Sequence, residues 1–408
     1  MAPDVRELDA DVIVVGGGPA GSVSAWLLAE RGHRVLLLDK ARFPRHKACS
    51  EYVNPAGARL LRELGLESDL QALGAHRMEA MLIHAPGERR FLADFGIAEP
   101  GSAAIGLSRY RLDSLLLDRA REAGVEVREG AHVRHVLVED GCVQGVESTM
   151  EEVRMTLRAP LTIGADGRHG VVSRALGLDI PLRWPRRTGL VAHYRGVSGL
   201  GSWGEMHVAP RRQGYAGLAP LEDGITNVAF VSGSAAVADR PATLEAFFED
   251  GLGGIPAIAS KLTGAERVGG IRGIGSMAHR ARRVSGGGFA LVGDAASFLD
   301  PFTGEGIYEA LRGATLLAPV ADAALRAGDL SARRLAPYGT ARRRAFWARR
   351  QVCWLVQGFI AMPALMNYAT ARLDRRPTAA LTLAGVLADL YPARQGLSPV
   401  FLARLLWP

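Results

Sequence analysis

The sequence predicts a mixed α/β fold: a parallel-sheet domain is interrupted by an antiparallel-sheet domain and followed by a helical C-terminal region. Residues 11–15 form a short β-branched run that ends in glycine, which is typical of a buried parallel strand. Between about residues 181 and 283, alternating apolar and polar residues replace the buried runs and indicate antiparallel strands. After Gly306 the pattern is mostly helical.

The composition is that of an ordinary globular protein. The chain has 408 residues, of which 48% are hydrophobic and 22% charged, with a net charge of +7. Ten arginines and a single acid lie between residues 333 and 376, so the basicity is local. This distribution argues against a nucleic-acid partner.

The three cysteines, Cys49, Cys142 and Cys353, are far apart and have no metal-ligand spacing. They indicate a reducing compartment and no zinc site. The sequence shows no apolar signal core and no run of about 18 apolar residues. We therefore expect a cytoplasmic protein.

The first structural unit carries a glycine turn, defined here as Gly16-x-Gly18-x-x-Gly21. A helix over residues 20–31 follows the turn, and a buried strand over residues 35–38 ends at Asp39. Such glycines allow the backbone to approach a pyrophosphate, and the helix N-terminus favours its negative charge. The acid after the second strand can accept hydrogen bonds from a ribose. The sequence therefore predicts a Rossmann-like dinucleotide site.

The remaining elements follow in order. We predict a helix over residues 111–123, then a strand over 125–127 and a strand pair over 131–138 and 142–147 that turns at 139–141. Further strands are predicted over residues 161–165, 190–197, 205–208, 226–231 and 289–292. These patterns predict six segments: a nucleotide domain over 1–75, 106–180 and 284–330, a substrate domain over 76–105 and 181–283, and C-terminal helices over 331–408.

Further motifs carry a family resemblance. An Arg-Tyr-Arg-Leu-Asp segment starts at Arg109, an Asp-Gly pair starts at Asp166, and a Gly-Asp pair starts at Gly293. In this order they resemble the para-hydroxybenzoate-hydroxylase-like FAD-dependent oxidoreductases, up to about residue 315. Residues 43–49 and 300–307 are most similar to the branch that contains geranylgeranyl reductases and flavin-dependent halogenases.

The resemblance implies FAD as cofactor and assigns roles by position. Asp39 would hold the adenosine ribose, Arg109 would lie near the phosphates, and Asp294 would bind the ribityl chain. Gly304 and Gly306 would allow the backbone to approach the isoalloxazine at a helix start. An alternative for Asp294 is a plain N-cap. The other expected contacts are Gly16, Gly18, Pro19, Ala20, Gly21, Lys40, Arg42, Ala48, Val133, Asp166, Gly293 and Ile307.

The electron donor is left open by the sequence. No second glycine fingerprint follows the strand over 161–165 or the inserted sheet, so a separate nicotinamide domain is not expected. This agrees with the resemblance, whose members take electrons from transient NAD(P)H or another donor.

Two reactions and one non-catalytic role remain open, and halogenation is disfavoured. The related halogenases use a lysine and a Trp-x-Trp-x-Ile-Pro motif, whereas this chain has no lysine between Glu51 and Lys261 and reads Tyr-Ala-Gly-Leu-Ala-Pro at residues 215–220. We predict, narrowly, a monooxygenase in secondary metabolism that hydroxylates or oxidises an apolar aromatic or polyketide-like molecule with O2, in a pocket that excludes water. Reduction of isoprenoid double bonds and a non-catalytic flavin-binding interaction protein are the alternatives.

The candidate catalytic residues are Cys49, Glu51 and Glu305. Cys49 and Glu51 could donate a proton or contact substrate, or could be a small buried thiol beside a helix N-terminal acid. Glu305 could likewise be a first-turn acid. For residues 45–47 we favour a solvated basic loop over a site for NAD(P)H phosphate.

We predict no metal ligands among the histidines. His193, His207 and His279 have no partners at ligand spacing in the sequence.

The basic, aromatic C-terminal stretch has three interpretations. It could lie on an anionic membrane surface and admit a lipophilic substrate, or it could form a dimer surface. We favour a packing helix whose arginines are solvated or paired. The oligomeric state is not predicted.

Overall fold

The computed structural model describes residues 8–87, 89–209, 214–233 and 243–406. The strands are β1 Val12–Val15, β2 Val35–Asp39, β3 Tyr52–Val53, β4 His76–Met78, β5 Ala80–His84, β6 Arg90–Asp94, β7 Ala104–Gly106, β8 Glu126–Glu129, β9 His132–Glu139, β10 Cys142–Met150, β11 Val153–Arg158, β12 Leu161–Gly164, β13 Asp179–Pro181, β14 Arg187–Arg195, β15 Gly204–Val208, β16 Tyr215–Pro220, β17 Ile225–Gly233, β18 Glu266–Ile274, β19 His279–Ala281, β20 Ser285–Gly286, β21 Phe289–Leu291 and β22 Ser297–Phe298.

The helices connect these strands and make up the C-terminal region. They are α1 Pro19–Ala29, α2 Pro55–Glu63, α3 Glu67–Ala72, α4 Phe95–Ala98, α5 Arg109–Glu122, α6 Val171–Ala175, α7 Leu244–Gly253, α8 Pro256–Lys261, α9 Gly306–Arg326, α10 Ala332–Ala361, α11 Pro363–Arg375, α12 Pro377–Leu387 and α13 Pro399–Leu406. Single 3-10 turns lie at Glu222–Gly224, Gly293–Ala295, Pro301–Thr303 and Ala393–Gln395. The mixed α/β fold predicted from the sequence is confirmed.

A six-stranded sheet carries the glycine turn. Its strand order is β20-β21-β12-β1-β2-β8, and all neighbours from β21 to β8 run parallel. The four residues of β1 and the five of β2 are all buried, because α1, α5 and α9 cover one face. The continuous apolar runs in the sequence follow from burial on both faces.

A seven-stranded sheet forms the second layer. Its order is β18-β14-β17-β16-β15-β5-β6, and every pairing is antiparallel except that of β5 with β15. Strands from residues 80–94 and from residues 187–274 therefore share one sheet. The six segment boundaries predicted from the sequence are not tested by this pairing and stay a prediction.

A smaller antiparallel sheet consists of β9, β10 and β11, and the sequence predicted only two of these strands. The predicted turn at residues 139–141 is present between β9 and β10. The sequence analysis did not predict β11, which pairs with β10 over Val153–Arg158. The pattern of β11 is weak because most of its residues are exposed or half-buried.

The C-terminal helices α11 and α12 pack against β6 at the edge of the seven-stranded sheet, α13 packs against these two helices, and α10 packs against α9 and β20. Two of the ten arginines between residues 333 and 376, Arg342 and Arg349, are buried, and Arg349 pairs with Asp389. In the described part of the chain no single helix is long and apolar enough to cross a membrane, although α10 and α11, bent by 113°, pass that test of length and composition together. Membrane contact through these helices stays a prediction.

Candidate cofactor and substrate site

The glycine turn is shaped by close backbone contacts. Gly16 has a φ of +103°, and a Cβ there would lie 2.5 Å from the Ala165 carbonyl oxygen. A Cβ on Gly21 would overlap the Gly16 carbonyl oxygen. Pro19 occupies the first turn of α1, where a missing N–H costs nothing. The turn therefore presents free backbone N–H groups at the start of α1, as a phosphate requires.

Asp39 is anchored to this turn. Its Oδ2 accepts a hydrogen bond of 2.6 Å from the Gly17 N–H, and its Oδ1 accepts one of 2.8 Å from the Ala41 N–H. Asp39 is 8% exposed and lines the large cavity described below. Its carboxylate is held in place while lone pairs remain for ribose hydroxyls.

Two guanidinium groups lie over the glycine turn. A Cβ on Gly18 would lie 3.7 Å from Arg109 Nη2 and 3.8 Å from Arg45 Nη2. Both arginines pair with one buried carboxylate, since Asp113 Oδ2 lies 2.7 Å from Arg45 Nη1 and from Arg109 Nη2. Two cations against one anion leave positive charge where an incoming pyrophosphate would need it.

Asp294 faces the cavity. It lies inside the 3-10 turn Gly293–Ala295, whose N-cap residue is Val292, and the N-cap residue of α9 is Glu305, so Asp294 is not an N-cap. Burial raises the pKa of Asp294 to about 6, although Lys47 and Arg109 oppose this shift. Among the described residues we find no hydrogen bond to its carboxylate. The group is therefore poised to accept hydroxyl donors from a bound molecule.

The loop before α9 also borders the cavity. Gly304 has a φ of +67°, and a Cβ there would lie 2.5 Å from the Tyr52 ring, so a larger residue does not fit. Gly306 is the first residue of α9, and Gly304, Gly306 and Ile307 all line the cavity. Backbone N–H groups at this helix start can approach a planar ring.

Glu305 points away from that cavity. It is 7% exposed, and its Oε2 accepts a hydrogen bond of 3.2 Å from the Cys353 thiol. Burial, with Asp389 nearby, raises the pKa of Glu305 well above its usual range. Because Glu305 does not line the cavity, the structure does not favour the predicted catalytic role.

Cys49 and Glu51 have separate positions. Cys49 lines the cavity, and burial raises the pKa of its thiol. Glu51 lies behind it at 1% exposure, where its carboxylate accepts from the Arg109 N–H at 2.8 Å and from Asn227 Nδ2 at 2.9 Å, and contacts His193 Nε2 at 2.5 Å. Glu51 therefore holds α5 to the seven-stranded sheet, and it is not an acid at the start of α2.

The structure brings most other predicted contacts together. Asp166 lines the cavity while its Oδ2 accepts from the Val172 N–H at 3.1 Å, which fixes the start of α6. Arg42 does not line the cavity and pairs instead with the exposed Glu151 at 3.3 Å. The remaining predicted residues that line the cavity are Gly16, Gly18, Pro19, Ala20, Lys40, Ala48, Arg109 and Val133, whereas Gly21 and Gly293 lie beside it.

The basic loop over residues 45–47 borders the cavity, and its His46 and Lys47 side chains are exposed, which agrees with the predicted solvated loop. Arg45, His46 and Lys47 all line the cavity, and Arg45 is held by Asp113. The surrounding protein, together with Arg109, lowers the pKa of Lys47. The sequence could not show this, because the partners of the loop come from α5 and from the Gly293–Ala295 turn.

A cavity of about 480 Å³ extends from the glycine turn to the seven-stranded sheet. Its far end is mostly apolar, although Glu205, Tyr215 and Asn227 also line the cavity. An apolar substrate pocket was expected from the sequence, but without named residues. The apolar lining residues there are Met81, Ile83, Ala93, Phe95, Val191, Met206, Ala219, Ala229, Val231, Ile274, Met277, Phe298, Phe302 and Leu387. Alternation along the strands could have suggested some of them, but not those from residues 81–95 or from α12.

One buried polar cluster joins the loop before α9 to the seven-stranded sheet at this apolar end. Asp300 accepts a hydrogen bond of 2.7 Å from the Tyr215 hydroxyl and lies 3.3 Å from Arg187 Nη1. Burial raises the pKa of Asp300, while Arg187 opposes the shift. The cluster fixes the loop before α9 against the wall of the cavity.

The chain was compared with known proteins. The model of the family described as FAD binding domain matches residues 9–352. Digeranylgeranylglycerophospholipid reductase 2 of Methanopyrus kandleri is 33% identical over 338 residues, which cover 81% of each chain. Menaquinone reductase of Mycolicibacterium smegmatis is 30% identical over 317 residues, or 73% of each chain.

A solved structure extends the likeness to halogenases. The myxobacterial chondrochloren halogenase CndH, described as a variant of FAD-dependent halogenases, superposes with a TM-score of 0.78 at 27% identity, over 96% of this chain and 99% of that one. The predicted resemblance to the branch of reductases and halogenases is therefore confirmed.

Proposed function

The chain belongs to the FAD binding domain family and is an FAD-dependent oxidoreductase, and from this premise we propose that it reduces carbon–carbon double bonds of a long apolar, isoprenoid-like molecule. The observation that carries the proposal is the cavity, which joins a dinucleotide turn to a mostly apolar end. The two reductases of lipophilic molecules among the relatives support it.

The residues present fit FAD. We propose that the glycine turn and the Arg109–Arg45 pair hold the pyrophosphate, that Asp39 holds the adenosine ribose, and that Asp294 accepts from the ribityl hydroxyls. The backbone of the loop at Gly304 would lie against the ring system. Bound FAD in its reduced form supplies a hydride for double-bond reduction.

The chain itself would supply a proton and a dry environment. Cys49 lines the cavity, and its raised pKa keeps the thiol protonated near neutral pH, so we propose it as the proton donor. Phe298, Phe302 and Met206 cover the apolar end and exclude water from the reacting bond. We propose transient NAD(P)H as electron donor, because the glycine turn is the only dinucleotide unit that we find in the described part of the chain.

Monooxygenation, ranked first from the sequence, now comes second. The relatives named above are reductases and a halogenase, which favour the alternative that the sequence analysis kept open. An apolar cavity alone would serve either reaction, since both need water excluded. The product therefore has to distinguish double-bond reduction from monooxygenation.

The products distinguish these reactions. Purified protein with bound FAD is incubated with NADPH, a geranylgeranyl lipid and 18O2, and the product is analysed by mass spectrometry. We expect a gain of two hydrogens per reduced double bond and no label. Incorporation of 18O, or a flavin that turns over without product from this lipid, would contradict the proposal. Cys49→Ala should lower the rate more than Cys49→Ser, while FAD content is unchanged.

A further inference from the structure

A cluster of possible metal ligands lies beside the flavin cavity: Glu205 is among the residues that line the cavity, whereas His84 and His207 are not. Glu205 and His207 are two residues apart on β15 and project from the same face. The parallel pairing of β5 with β15 sets His84 directly beside His207. Met81, Ile83 and Met206 alternate with these residues and line the flavin cavity, so the His84 and His207 side chains extend from the opposite face of the sheet.

The three side chains converge. One ligand atom from each of His84, Glu205 and His207 lies within 4.8 Å of the others. Glu205 and His207 are each 2% exposed, and His207 Nε2 lies 2.9 Å from Glu205 Oε2. His84 Nε2 is buried and has no hydrogen-bond partner among the residues that the structure describes. An unpartnered buried imidazole nitrogen is costly unless something else binds it.

The donor atoms in the cluster suit a metal ion. The unpartnered His84 Nε2 can bind one through its lone pair. Lys261 lies 3.2 Å from Glu205 Oε1, while Glu205 Oε2 faces His207. Arg90 is the other cation that acts on His84.

We propose that His84, Glu205 and His207 bind one divalent transition-metal ion of the zinc type. Two imidazoles and one carboxylate are ligands that such ions prefer, and Mg²⁺ or Ca²⁺ would require more oxygen donors. The ion would link β5, from the segment before α5, to the inserted strand β15. The sequence analysis missed the site because His84 and His207 meet only through the strand register.

Metal binding requires a rearrangement of the two rings. They are now stacked, with centroids 4.0 Å apart and planes 8° apart. An ion lies close to the plane of each imidazole at about 2.0–2.1 Å from nitrogen, so both rings must tilt towards each other. The hydrogen bond from His207 to Glu205 would be replaced by metal bonds.

Zinc binding tests the proposal. The FAD-loaded protein is freed of metal with a chelator, mixed with Zn²⁺, passed through gel filtration and analysed for zinc and flavin. We expect one zinc ion per chain, and a loss of at least about tenfold in affinity for His84→Ala and His207→Gln. Lys261→Met should bind zinc more tightly, because a competing cation is removed. Ca²⁺ should not displace the zinc.

His76 provides a matched control. Its Nε2 is also buried, and burial lowers its pKa, but within the described part of the chain it has neither a hydrogen-bond partner nor neighbouring metal ligands. His76→Ala should therefore bind zinc like the wild type. A wild type that retains no zinc, or a His84→Ala variant that retains as much as the wild type, would overturn the proposal. Flavin content confirms that each variant is folded and keeps this result separate from the proposed reaction.

Discussion

We predict that the Asp294 carboxylate lowers the stability of the FAD-free protein and raises its affinity for FAD. Its pKa is raised from 3.8 to about 6 in the folded chain without FAD. The folded state therefore binds more protons than the unfolded state between these values, and the free energy of unfolding falls as pH rises from about 4 to 6. At 1.36 kcal/mol per pH unit, the ionised carboxylate costs up to about 3 kcal/mol above pH 6.

The perturbation is Asp294→Asn, studied by thermal unfolding of FAD-free protein from about pH 4 to pH 7.5. We expect the variant to be more stable than the wild type at pH 7.5 and equally stable near pH 4. With Asp294→Ala, FAD affinity should fall by about 10- to 100-fold, since a charge-assisted hydrogen bond is lost. Asp118→Asn, on the exposed face of α5, is the control. Identical pH dependence in wild type and Asp294→Asn, with unchanged FAD affinity in Asp294→Ala, would refute the reasoning.

Three other substitutions test separate parts of the site. Gly21→Ala should abolish FAD retention, because its Cβ would overlap the Gly16 carbonyl oxygen. The control Gly253→Ala, where a Cβ would meet open space, should retain FAD normally, and the flavin absorbance of the purified proteins measures both. Arg187→Met should destabilise the protein by about 3 kcal/mol in chemical unfolding, because a buried carboxylate loses its partner, and an unchanged midpoint would contradict this. Ala229→Trp should fill the apolar end and lower kcat/KM at least about tenfold at normal FAD content; full activity would place the substrate elsewhere.

The parts of the site that sequence could predict are local. The glycine turn and Asp39 belong to one β-α-β unit, and their spacing alone fixes that they meet. Asp294 and Gly304 were identified by resemblance, and the structure places both at the same cavity. Short-range geometry and ordered motifs were therefore sufficient for the cofactor end.

The parts that sequence could not predict depend on pairing between distant segments. Glu51 meets His193 from a strand 142 residues later, so its anchoring role has no local signal. His84 reaches His207 only because β5 joins the inserted sheet in parallel. Glu305 lies within the motif over residues 300–307, yet its carboxylate accepts a hydrogen bond from Cys353 of α10 and does not line the cavity. In each case the partner is set by sheet register or helix packing.

Anaerobic reoxidation of the bound flavin tests the central claim most directly. The FAD-loaded protein is reduced by light or dithionite without oxygen and then mixed with a geranylgeranyl lipid, while the visible absorbance of oxidised flavin is followed. If the cavity presents double bonds to reduced FAD, the absorbance returns in the absence of oxygen and saturated lipid appears in matching amount. A flavin that stays reduced with the lipid and reoxidises only when air is admitted would contradict the account.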